Sequence, residues 1–323
     1  MINTTADFET LYGTDGDDEL NSGNNGSSLY GEDGDDTLTT GFIGSGYTGE
    51  LYAFQFGGAG RDSLSVLIRA STYYSFTQLE GGDDDDLLQV RNDIVNMDAN
   101  ADVALNENFL LGGNGDDQLF VDATLMSVNG GNITNETYGG DGNDFINMTA
   151  RVLGDTDVFL ASNYAEGGSG NDTIFVTGSG DADDYVYNVA FGGAGADVLV
   201  GRTVGDAYGE SYLNGGTGDD VLRTIDGFYN EMYGEAGRDV LFGGTGTDIM
   251  EGGTGADTFM FDLNGGNDTI TDFTVGTDIF NLINGQTIGS ITASGSDTLV
   301  TFGDGATVLL QGVTVTDQAQ LFA

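Results

Sequence analysis

The chain has 323 residues and is strongly acidic, with 53 Asp and Glu residues, seven Arg, no Lys and a formal net charge of −46. This balance excludes nucleic acid as a partner, because phosphate binding needs a basic surface. The chain also lacks Cys and His, the usual ligands of soft and borderline metals, and contains no apolar run of membrane-spanning length.

A nine-residue pattern, glycine-glycine-x-glycine-x-aspartate-x-apolar-x, occurs twelve times along the chain. Position 1 is Gly and position 6 is Asp in all twelve copies, and position 8 is Leu, Ile, Met or Phe. Position 4 is Gly in every copy but one, where Asp84 replaces it. The copies begin at Gly13, Gly31, Gly57, Gly81, Gly112, Gly139, Gly167, Gly192, Gly215, Gly234, Gly243 and Gly252. Their position-6 residues are Asp18, Asp36, Asp62, Asp86, Asp117, Asp144, Asp172, Asp197, Asp220, Asp239, Asp248 and Asp257.

The spacing within each copy indicates a calcium-binding turn. Glycines at positions 1, 2 and 4 permit a tight turn whose carbonyl oxygens converge, and the Asp at position 6 adds a carboxylate. This all-oxygen set suits calcium, whereas magnesium demands stricter octahedral geometry and keeps its waters. A flexible, acidic, glycine-rich linker is the alternative, but a linker would not place an apolar residue two positions after every Asp.

The N-terminal part of the chain begins with the polar residues 1–12, which contain no basic or apolar signal region. The first two turns are 18 residues apart, and the segment Gly23–Ser28 between them is a degenerate turn without its Asp. From Gly31 to Gly215 the turns are 23 to 31 residues apart, which predicts coils with a calcium turn on one edge and a variable loop on the other. From Gly234 to Gly252 the interval is nine, so turns are expected on alternate edges.

Short alternating runs follow the turns, such as Leu119-Phe120-Val121. Positions 8 and 10 lie on one face of a strand, because side chains alternate with period two. Another apolar residue lies two positions before most turns, at Leu11, Leu29, Leu79, Leu110, Ala190, Leu213, Met232, Leu241 and Met250. The sequence therefore predicts an all-β chain, a parallel β-solenoid with enlarged coils in which each repeat contacts its neighbours.

The repeats resemble those of the RTX family of Gram-negative secreted proteins, over about residues 11–282. The resemblance implies a β-roll-like fold, with calcium held by the position-1 and position-3 carbonyls and the position-6 carboxylate. In one turn these are Gly112, Asn114 and Asp117, and the other turns follow; about ten ions would lie between stacked turns. The segment from Gly266 to Phe280 looks like the one that closes many such arrays and adds Asp268 and Asp278 as metal ligands. At Asp84 the pattern is broken, which puts the geometry of that turn in doubt.

We divide the chain into an N-terminal segment (1–12), a calcium-binding solenoid (13–282) and a C-terminal β cap (283–323). Within the cap, Asp297–Phe302 and Thr307–Leu310 are predicted to form a β-hairpin. This region is similar to the uncleaved secretion region of type I exporters. The resemblance implies export of the unfolded chain into calcium-rich surroundings, with an extracellular or cell-surface location.

The sequence favours a structural rather than an enzymatic function. It lacks the HExxH, GxSxG and phosphate-loop motifs, as well as His, Cys and Lys. Acidic pairs such as Asp155 and Asp157, or Asp181 with Asp183 and Asp184, leave a polysaccharide lyase, epimerase or glycosidase as a minor alternative. We expect a calcium-dependent homo-polymer that builds a surface layer, filament or matrix through an uncovered N-terminal coil. The alternative is an adhesin or polysaccharide-binding module that uses the variable loops.

Overall fold

The computed structural model describes residues 2–4, 8–44, 49–96, 103–128, 130–154, 159–205 and 207–322. In these residues the chain forms two large β-sheets and a single short 3₁₀ turn, Gln318–Leu321. The 13-stranded sheet contains β1 (Ile2–Thr4), β3 (Glu19–Ser22), β5 (Thr37–Gly44), β7 (Ser63–Ala70), β9 (Leu87–Asn96), β11 (Gln118–Ser127), β13 (Phe145–Leu153), β15 (Thr173–Gly180), β17 (Val198–Gly205), β19 (Val221–Ile225), β21 (Val240–Phe242), β24 (Thr258–Phe261) and β26 (Ile279–Leu282).

The 16-stranded sheet contains β2 (Thr10–Tyr12), β4 (Ser27–Asp33), β6 (Glu50–Ala59), β8 (Tyr74–Asp83), β10 (Ala104–Asn114), β12 (Gly131–Asp141), β14 (Phe159–Ser169), β16 (Tyr185–Ala194), β18 (Tyr208–Thr217), β20 (Tyr229–Gly237), β22 (Thr247–Glu251), β23 (Thr254–Gly255), β25 (Asn267–Ile270), β27 (Ile288–Ser294), β28 (Asp297–Phe302) and β29 (Thr307–Leu310).

The chain alternates between the two sheets, so that each coil contributes one strand to each. As far as β20, strands pair in parallel with the strands two places before and after them; Leu119 of β11, for example, aligns with Leu88 of β9 and Ile146 of β13. Strands of the middle coils reach 11 residues. The predicted all-β fold class, a parallel β-solenoid with enlarged coils, is confirmed.

The core lies between the two sheets and is filled by the residues that the alternation predicted. All nine apolar residues two positions before a turn are buried, Leu11 being the most exposed at 7%. The position-8 residues are buried as well, among them Leu119, Ile174 and Phe259. Burying this apolar stripe is the main favourable contribution to the fold, because each repeat covers the apolar surface of the next.

Turns lie on two edges of the solenoid. At the near edge the chain passes from the 16-stranded to the 13-stranded sheet, and at the far edge it returns. The turns that begin at Gly13, Gly31, Gly57, Gly81, Gly112, Gly139, Gly167, Gly192, Gly215, Gly234 and Gly252 all lie on the near edge, whereas the turn at Gly243 lies between β21 and β22 on the far edge. The predicted single row of turns, with alternation only near Gly243, is therefore correct. The degenerate turn after Ser22 lies on the far edge.

At the C-terminal end the predicted hairpin is confirmed: β28 and β29 pair antiparallel, and β29 continues the 16-stranded sheet in parallel with β25. Phe261, Phe280 and Phe302 pack together there, with ring centroids 4.7 and 4.8 Å apart for Phe261 against the other two. The division of the chain at residues 12 and 282 remains a prediction. Across the residues placed by the structure, no helix has the length and apolar character of a membrane span.

Candidate metal centre

The position-6 aspartates of the near edge form a continuous ladder along the solenoid. The backbone N–H of each donates to the Oδ1 atom of the Asp one coil further on, as between Asp117 and Asp144 at 2.8 Å. Eleven such bonds, of 2.7 to 3.0 Å, join Asp18, Asp36, Asp62, Asp86, Asp117, Asp144, Asp172, Asp197, Asp220, Asp239, Asp257 and Asp278 in order. One oxygen of each carboxylate from Asp36 to Asp278 is thereby fixed between neighbouring turns.

The second carboxylate oxygen, Oδ2, has no hydrogen-bond partner in ten of these near-edge residues, although it is buried. These residues are Asp36, Asp62, Asp86, Asp117, Asp144, Asp172, Asp197, Asp220, Asp239 and Asp257. A buried carboxylate oxygen without a partner is strongly unfavourable, since it has lost its hydration and gained nothing. A row of ten such atoms on one edge indicates a common ligand that the protein atoms do not supply.

The position-1 glycines show where that ligand would lie. A Cβ atom added to Gly112 would clash with Oδ2 of Asp117 and would lie 2.6 Å from the carbonyl oxygen of Gly139 in the next turn. At every position-1 glycine from Gly31 to Gly252 the added atom would meet the Oδ2 atom of the same turn. The missing side chain thus leaves a small space lined by a carboxylate oxygen and, at most turns, by a carbonyl of the next coil.

Glycines at positions 2 and 4 favour the path of the turn, although Glu32 and Glu235 take a positive φ at position 2 in two copies. In the turn that begins at Gly112, Gly113 has φ 124° and Gly115 has φ 132°, values that residues with a β-carbon rarely adopt. The doubt about Asp84 is resolved, because it takes φ 75° at position 4 and the ladder bonds on both sides of Asp86 are intact. Asp is among the residues that tolerate the left-handed region, so the turn survives the exception.

The two ends of the near-edge row differ from its middle. Oδ2 of Asp18 accepts hydrogen bonds from the backbone N–H of Thr14 at 2.7 Å and from its hydroxyl at 2.8 Å. Oδ2 of Asp278 accepts from the backbone N–H of Thr274 at 2.7 Å. Both terminal turns therefore satisfy their carboxylates internally, and their assignment as metal ligands stays a prediction.

A shorter row lies on the far edge. Asp248 donates its backbone N–H to Oδ1 of Asp268 at 3.2 Å, and its own Oδ1 accepts from the side chain of Asn230 at 2.7 Å. Its Oδ2 atom is buried without a partner, like those of the near edge. Asn230 occupies the aligned position one coil earlier and was missed by the sequence reasoning. The sequence could have identified Asn230, because it lies four residues before Gly234, just as Asp248 lies four residues before Gly252.

Burial governs the acidity of both rows. Loss of hydration raises the pKa of Asp86 to about 8 and that of Asp144 to about 7, with a smaller contribution from neighbouring carboxylates. The same cause raises the pKa of Asp268 to about 8. In the absence of a cation the folded chain therefore favours the neutral form of these carboxyls.

These features fit calcium. The described residues contain no cluster of three or more acidic side chains that could hold a metal by themselves, so backbone carbonyls must complete any site. The position-3 carbonyls lie at this edge, where that of Asp141 accepts a hydrogen bond from the N–H of Gly115 at 2.7 Å and keeps a second lone pair. A set of carboxylate and carbonyl oxygens suits a hard cation that takes 6–8 ligands.

Of the acidic groups considered as catalytic, Asp181, Asp183 and Asp184 lie among the described residues. Asp184 is buried, and its carboxylate accepts from the backbone N–H groups of Asp181 at 2.7 Å and Phe159 at 3.1 Å, so it organises a far-edge loop. Asp155 and Asp157 lie outside the described residues.

Comparison with known proteins agrees with the geometry. The sequence model of the RTX calcium-binding nonapeptide repeat (4 copies) matches residues 12–42, 107–123, 161–187, 187–203, 208–224 and 230–259. Among curated proteins, none matches. Among solved structures, the extracellular lipase LipA from Serratia marcescens is 21% identical with a TM-score of 0.23, and the match covers 54% of this chain but only 40% of the lipase. The chain therefore carries RTX calcium-binding nonapeptide repeats, in six stretches that include turns of both edges.

Proposed function

We propose that this chain is a secreted structural protein that folds when its turns bind calcium and then assembles into a surface layer, filament or extracellular matrix. The observation that carries the proposal is the row of ten buried Oδ2 atoms without partners. When bound, calcium supplies the positive charge that this row lacks. The proposed ligands of each turn are the position-1 and position-3 carbonyls and the position-6 carboxylate, which gives about ten ions on the near edge.

The link between calcium and folding follows from the position of the carboxylates. In the unfolded chain they are hydrated and far apart, whereas the fold stacks them between neighbouring coils and removes their water. A site that exists only in the folded chain converts the free energy of metal binding into free energy of folding. Secretion fits this coupling, because extracellular fluids contain far more free calcium than cytoplasm does, and RTX-repeat proteins are typically secreted by Gram-negative bacteria.

The coupling is tested by removing three ligands together. We expect Asp117→Asn/Asp172→Asn/Asp220→Asn to raise the calcium concentration at half-folding by about tenfold or more, measured by circular dichroism during a calcium titration. The matched control, Glu136→Gln/Asp183→Asn/Glu210→Gln, removes the same charge outside the ladder and should leave the midpoint within about twofold. A metal-free protein with the full β-signal at neutral pH would refute calcium-dependent folding.

Assembly is supported by the ends of the sheets. In the order of strands, β1 and β2 are the outermost strands at one end, and β26 ends the 13-stranded sheet at the other. No strand in the described part of the chain pairs with the outer edge of β26. Edge strands offer free N–H and C=O groups to another chain, so two copies can join end to end by β-augmentation.

End-to-end assembly is tested by electron microscopy and light scattering of the purified protein, first with millimolar calcium and then with EDTA. We expect polymers only with calcium. Deletion of residues 1–10 should shorten or abolish them, because it removes β1 and the first residue of β2. A monodisperse monomer at high protein concentration in calcium would reject the polymer.

A binding module is the second candidate, and one surface favours it. A cavity of about 390 Å³ opens on the 16-stranded sheet and is lined by Leu160, Tyr185, Tyr187, Tyr208 and Glu210, among others. Tyr185 and Tyr208 are 54% and 52% exposed and stack with ring centroids 5.9 Å apart. Aromatic faces beside a carboxylate suit a neutral glycan, which the charge of the chain would not repel. Glycan-array binding that Tyr185→Ala/Tyr208→Ala abolishes and Tyr12→Ala retains would support this candidate.

We further propose that the protein has no catalytic activity. The support is that the buried acidic side chains of the described residues already have structural places. They lie in the two rows of turns, except Asp184, which organises a loop at the far edge. A search for depolymerising activity on acidic and neutral polysaccharides, with the calcium-loaded protein, tests this point.

A further inference from the structure

The outward faces of the two sheets carry opposite kinds of charge. Of the twelve glutamates in the sequence, ten lie in strands of the 16-stranded sheet; of the seven arginines, five lie in strands of the 13-stranded sheet and none in the other. The glutamates are Glu32, Glu50, Glu80, Glu107, Glu136, Glu166, Glu210, Glu231, Glu235 and Glu251, and the arginines are Arg69, Arg91, Arg151, Arg202 and Arg223. We call the outward sides of the sheets the glutamate face and the arginine face.

Periodicity alone does not require this separation. An outward strand position accepts any polar residue, and both sheets are built from the same repeat. On the arginine face only Glu19, Asp93 and Asp122 are acidic among the strand residues, so this face has a net charge of +2 in a chain of −46.

Two of the arginines have no acidic partner among the residues that the structure describes. Arg69 and Arg91 both lie 3.2 Å from Asp93, and Arg151 pairs with Asp122. Arg202 and Arg223, in contrast, make no ion pair with any described residue, and Arg223 lies over the ring of Phe242 at 5.1 Å. In a chain with 53 acidic residues, two exposed and unpaired guanidinium groups are available to an acidic surface on another molecule.

The arginine face is also apolar for an outer surface. Leu153, Val204 and Val221 are exposed by 41%, 37% and 40%. Phe120, Phe145 and Phe175 form a row on it, with successive ring centroids 5.6 and 5.9 Å apart. On the glutamate face the acids alternate with aromatic rings: Glu136 aligns with Phe109 and Tyr164 in the neighbouring strands. Each face therefore presents apolar groups together with a net charge, positive on the arginine face and negative on the glutamate face.

We infer that the arginine face of one copy packs side by side on the glutamate face of a second copy of this chain. This inference rests on the proposed self-assembly and names its lateral contact. Because the two surfaces differ, the contact is heterologous and repeats from copy to copy, which widens a row of molecules into a sheet. Glutamate carboxylates then pair with Arg202 and Arg223, and the apolar rows of the two faces meet.

The size of the faces is sufficient for a stable contact. Seven neighbouring strands of the arginine face, from β5 to β17, are eight to ten residues long. At about 3.3 Å per residue and ~4.8 Å between strands, they cover roughly 900 Å². A standard protein interface buries about 800 Å² on each partner. The remaining negative charge opposes the approach, so the contact needs calcium or screening salt.

The first test reverses the unpaired charges. Arg202→Glu/Arg223→Glu should raise the protein concentration at half-association by about tenfold or more, measured by sedimentation velocity in calcium. The control Ser290→Glu/Ser294→Glu adds two negative charges, half the change made by the double reversal, at exposed positions of β27 and should behave like wild type. Glu136→Arg/Glu210→Arg should be equally weakened alone, and mixing it with the arginine-face variant should restore association. A calcium titration followed by circular dichroism verifies that each variant folds. If the arginine-face variant does not fold, Arg202→Gln is tested in its place.

The second test uses the absence of cysteine from the chain. Thr177 aligns with Arg202 on the arginine face, and Thr134 aligns with Glu107 on the glutamate face. Thr177→Cys mixed with Thr134→Cys should form disulfide-linked heterodimers in calcium, whereas either variant alone should not. Same-face dimers would overturn the inference. Polymers unaffected by charge reversal would also overturn it and leave end-to-end assembly standing, whereas a wild-type protein that stays monomeric would overturn both.

Discussion

At the scale of single residues, the position-1 glycine is required for space and not for backbone freedom. Gly112 has no positive φ, so alanine is allowed there by the backbone, but its Cβ would enter the space between Asp117 and the carbonyl of Gly139. Gly41 in β5 also has no positive φ, and nothing lies within 4 Å of its added Cβ. The two glycines form a matched pair that separates the site from the strand.

We expect Gly112→Ala to destabilise the calcium-loaded fold by about 1–3 kcal/mol, as overpacking does, and to raise the calcium midpoint. Gly41→Ala should leave both quantities unchanged or improve stability slightly, because alanine reduces the conformational entropy of the unfolded chain. Urea unfolding at fixed calcium measures the first quantity, and a calcium titration followed by circular dichroism measures the second. Equal effects at Gly112 and Gly41 would show that the space beside Asp117 is not used.

The raised pKa values of the buried aspartates give a prediction for the metal-free protein. Burial raises the pKa of Asp86 to about 8 and those of Asp62 and Asp197 to about 7, against about 3.9 in an unfolded chain. Between pH 4 and 8 the folded state therefore binds more protons than the unfolded state. The free energy of unfolding without calcium is thus highest at the acid end and falls as pH rises through 7 to 8.

Calcium-depleted protein should accordingly gain β-structure near pH 5 and lose it near pH 8, as measured by circular dichroism at low protein concentration. The variant Asp62→Asn/Asp86→Asn/Asp197→Asn removes three of the titrating groups and should show a weaker dependence on pH. With calcium present the trend reverses, because protons compete for the same oxygens, so the calcium midpoint should fall as pH rises. A metal-free chain that is equally disordered at both pH values would contradict the raised pKa values of these aspartates.

At the scale of the strands, a ladder of asparagines runs inside the core. The side-chain amide of Asn135 donates to Asn163 at 2.8 Å, and that of Asn163 donates to Asn188 at 2.9 Å. Asn108 donates to Asn135 at 2.9 Å, and all four side chains are buried. Each lies four residues before a position-1 glycine, and the parallel register stacks them in one column.

Removing one member should cost more than an ordinary polar substitution. We expect Asn163→Ala to lower the free energy of unfolding by about 1–3 kcal/mol, because it leaves the amide of Asn135 and the carbonyl oxygen of Asn188 without that partner. Asn147→Ala on the outward side of β13 is the control and should change stability by less than about 0.5 kcal/mol. Chemical denaturation at saturating calcium measures both, and equal values would mean that the ladder contributes nothing beyond packing.

The same strands show what could be predicted from the sequence. The turns, the apolar inward positions and the change of edge at Gly243 all follow from local spacing. A nine-residue repeat fixes the turn and also which residues of the following strand point inwards. The asparagine column was missed because polar residues are expected to point outwards. Its inward position depends on pairing with equivalent residues 25 to 28 positions away. The hydrogen bonds from Thr14 and Thr274 to the terminal carboxylates were also missed, although each spans only four residues.

At the scale of the whole molecule, the decisive quantity is the charge of −46. Without cations, self-repulsion expands the unfolded chain and disfavours any compact state. Monovalent salt reduces this repulsion, since the screening length falls from about 10 Å at 0.1 M to about 3 Å at 1 M. Screening does not, however, provide ligands for the ten buried carboxylate oxygens of the near edge. The effect of charge repulsion on folding can therefore be distinguished from the effect of metal coordination by comparing different cations.

We expect small-angle X-ray scattering to give a radius of gyration near 64 Å for the metal-free chain in dilute buffer, as for an unfolded chain of this length. One molar NaCl should contract the chain without producing a β-signal in circular dichroism, because it screens charge but does not coordinate. Millimolar calcium should bring the radius close to the compact value of about 20 Å, exceeding it because the solenoid is elongated. Magnesium at equal concentration should act like the monovalent salt, since it holds its waters and needs octahedral geometry. Folding in NaCl or magnesium alone would mean that neutralising the charge is enough and that the turns do not select calcium.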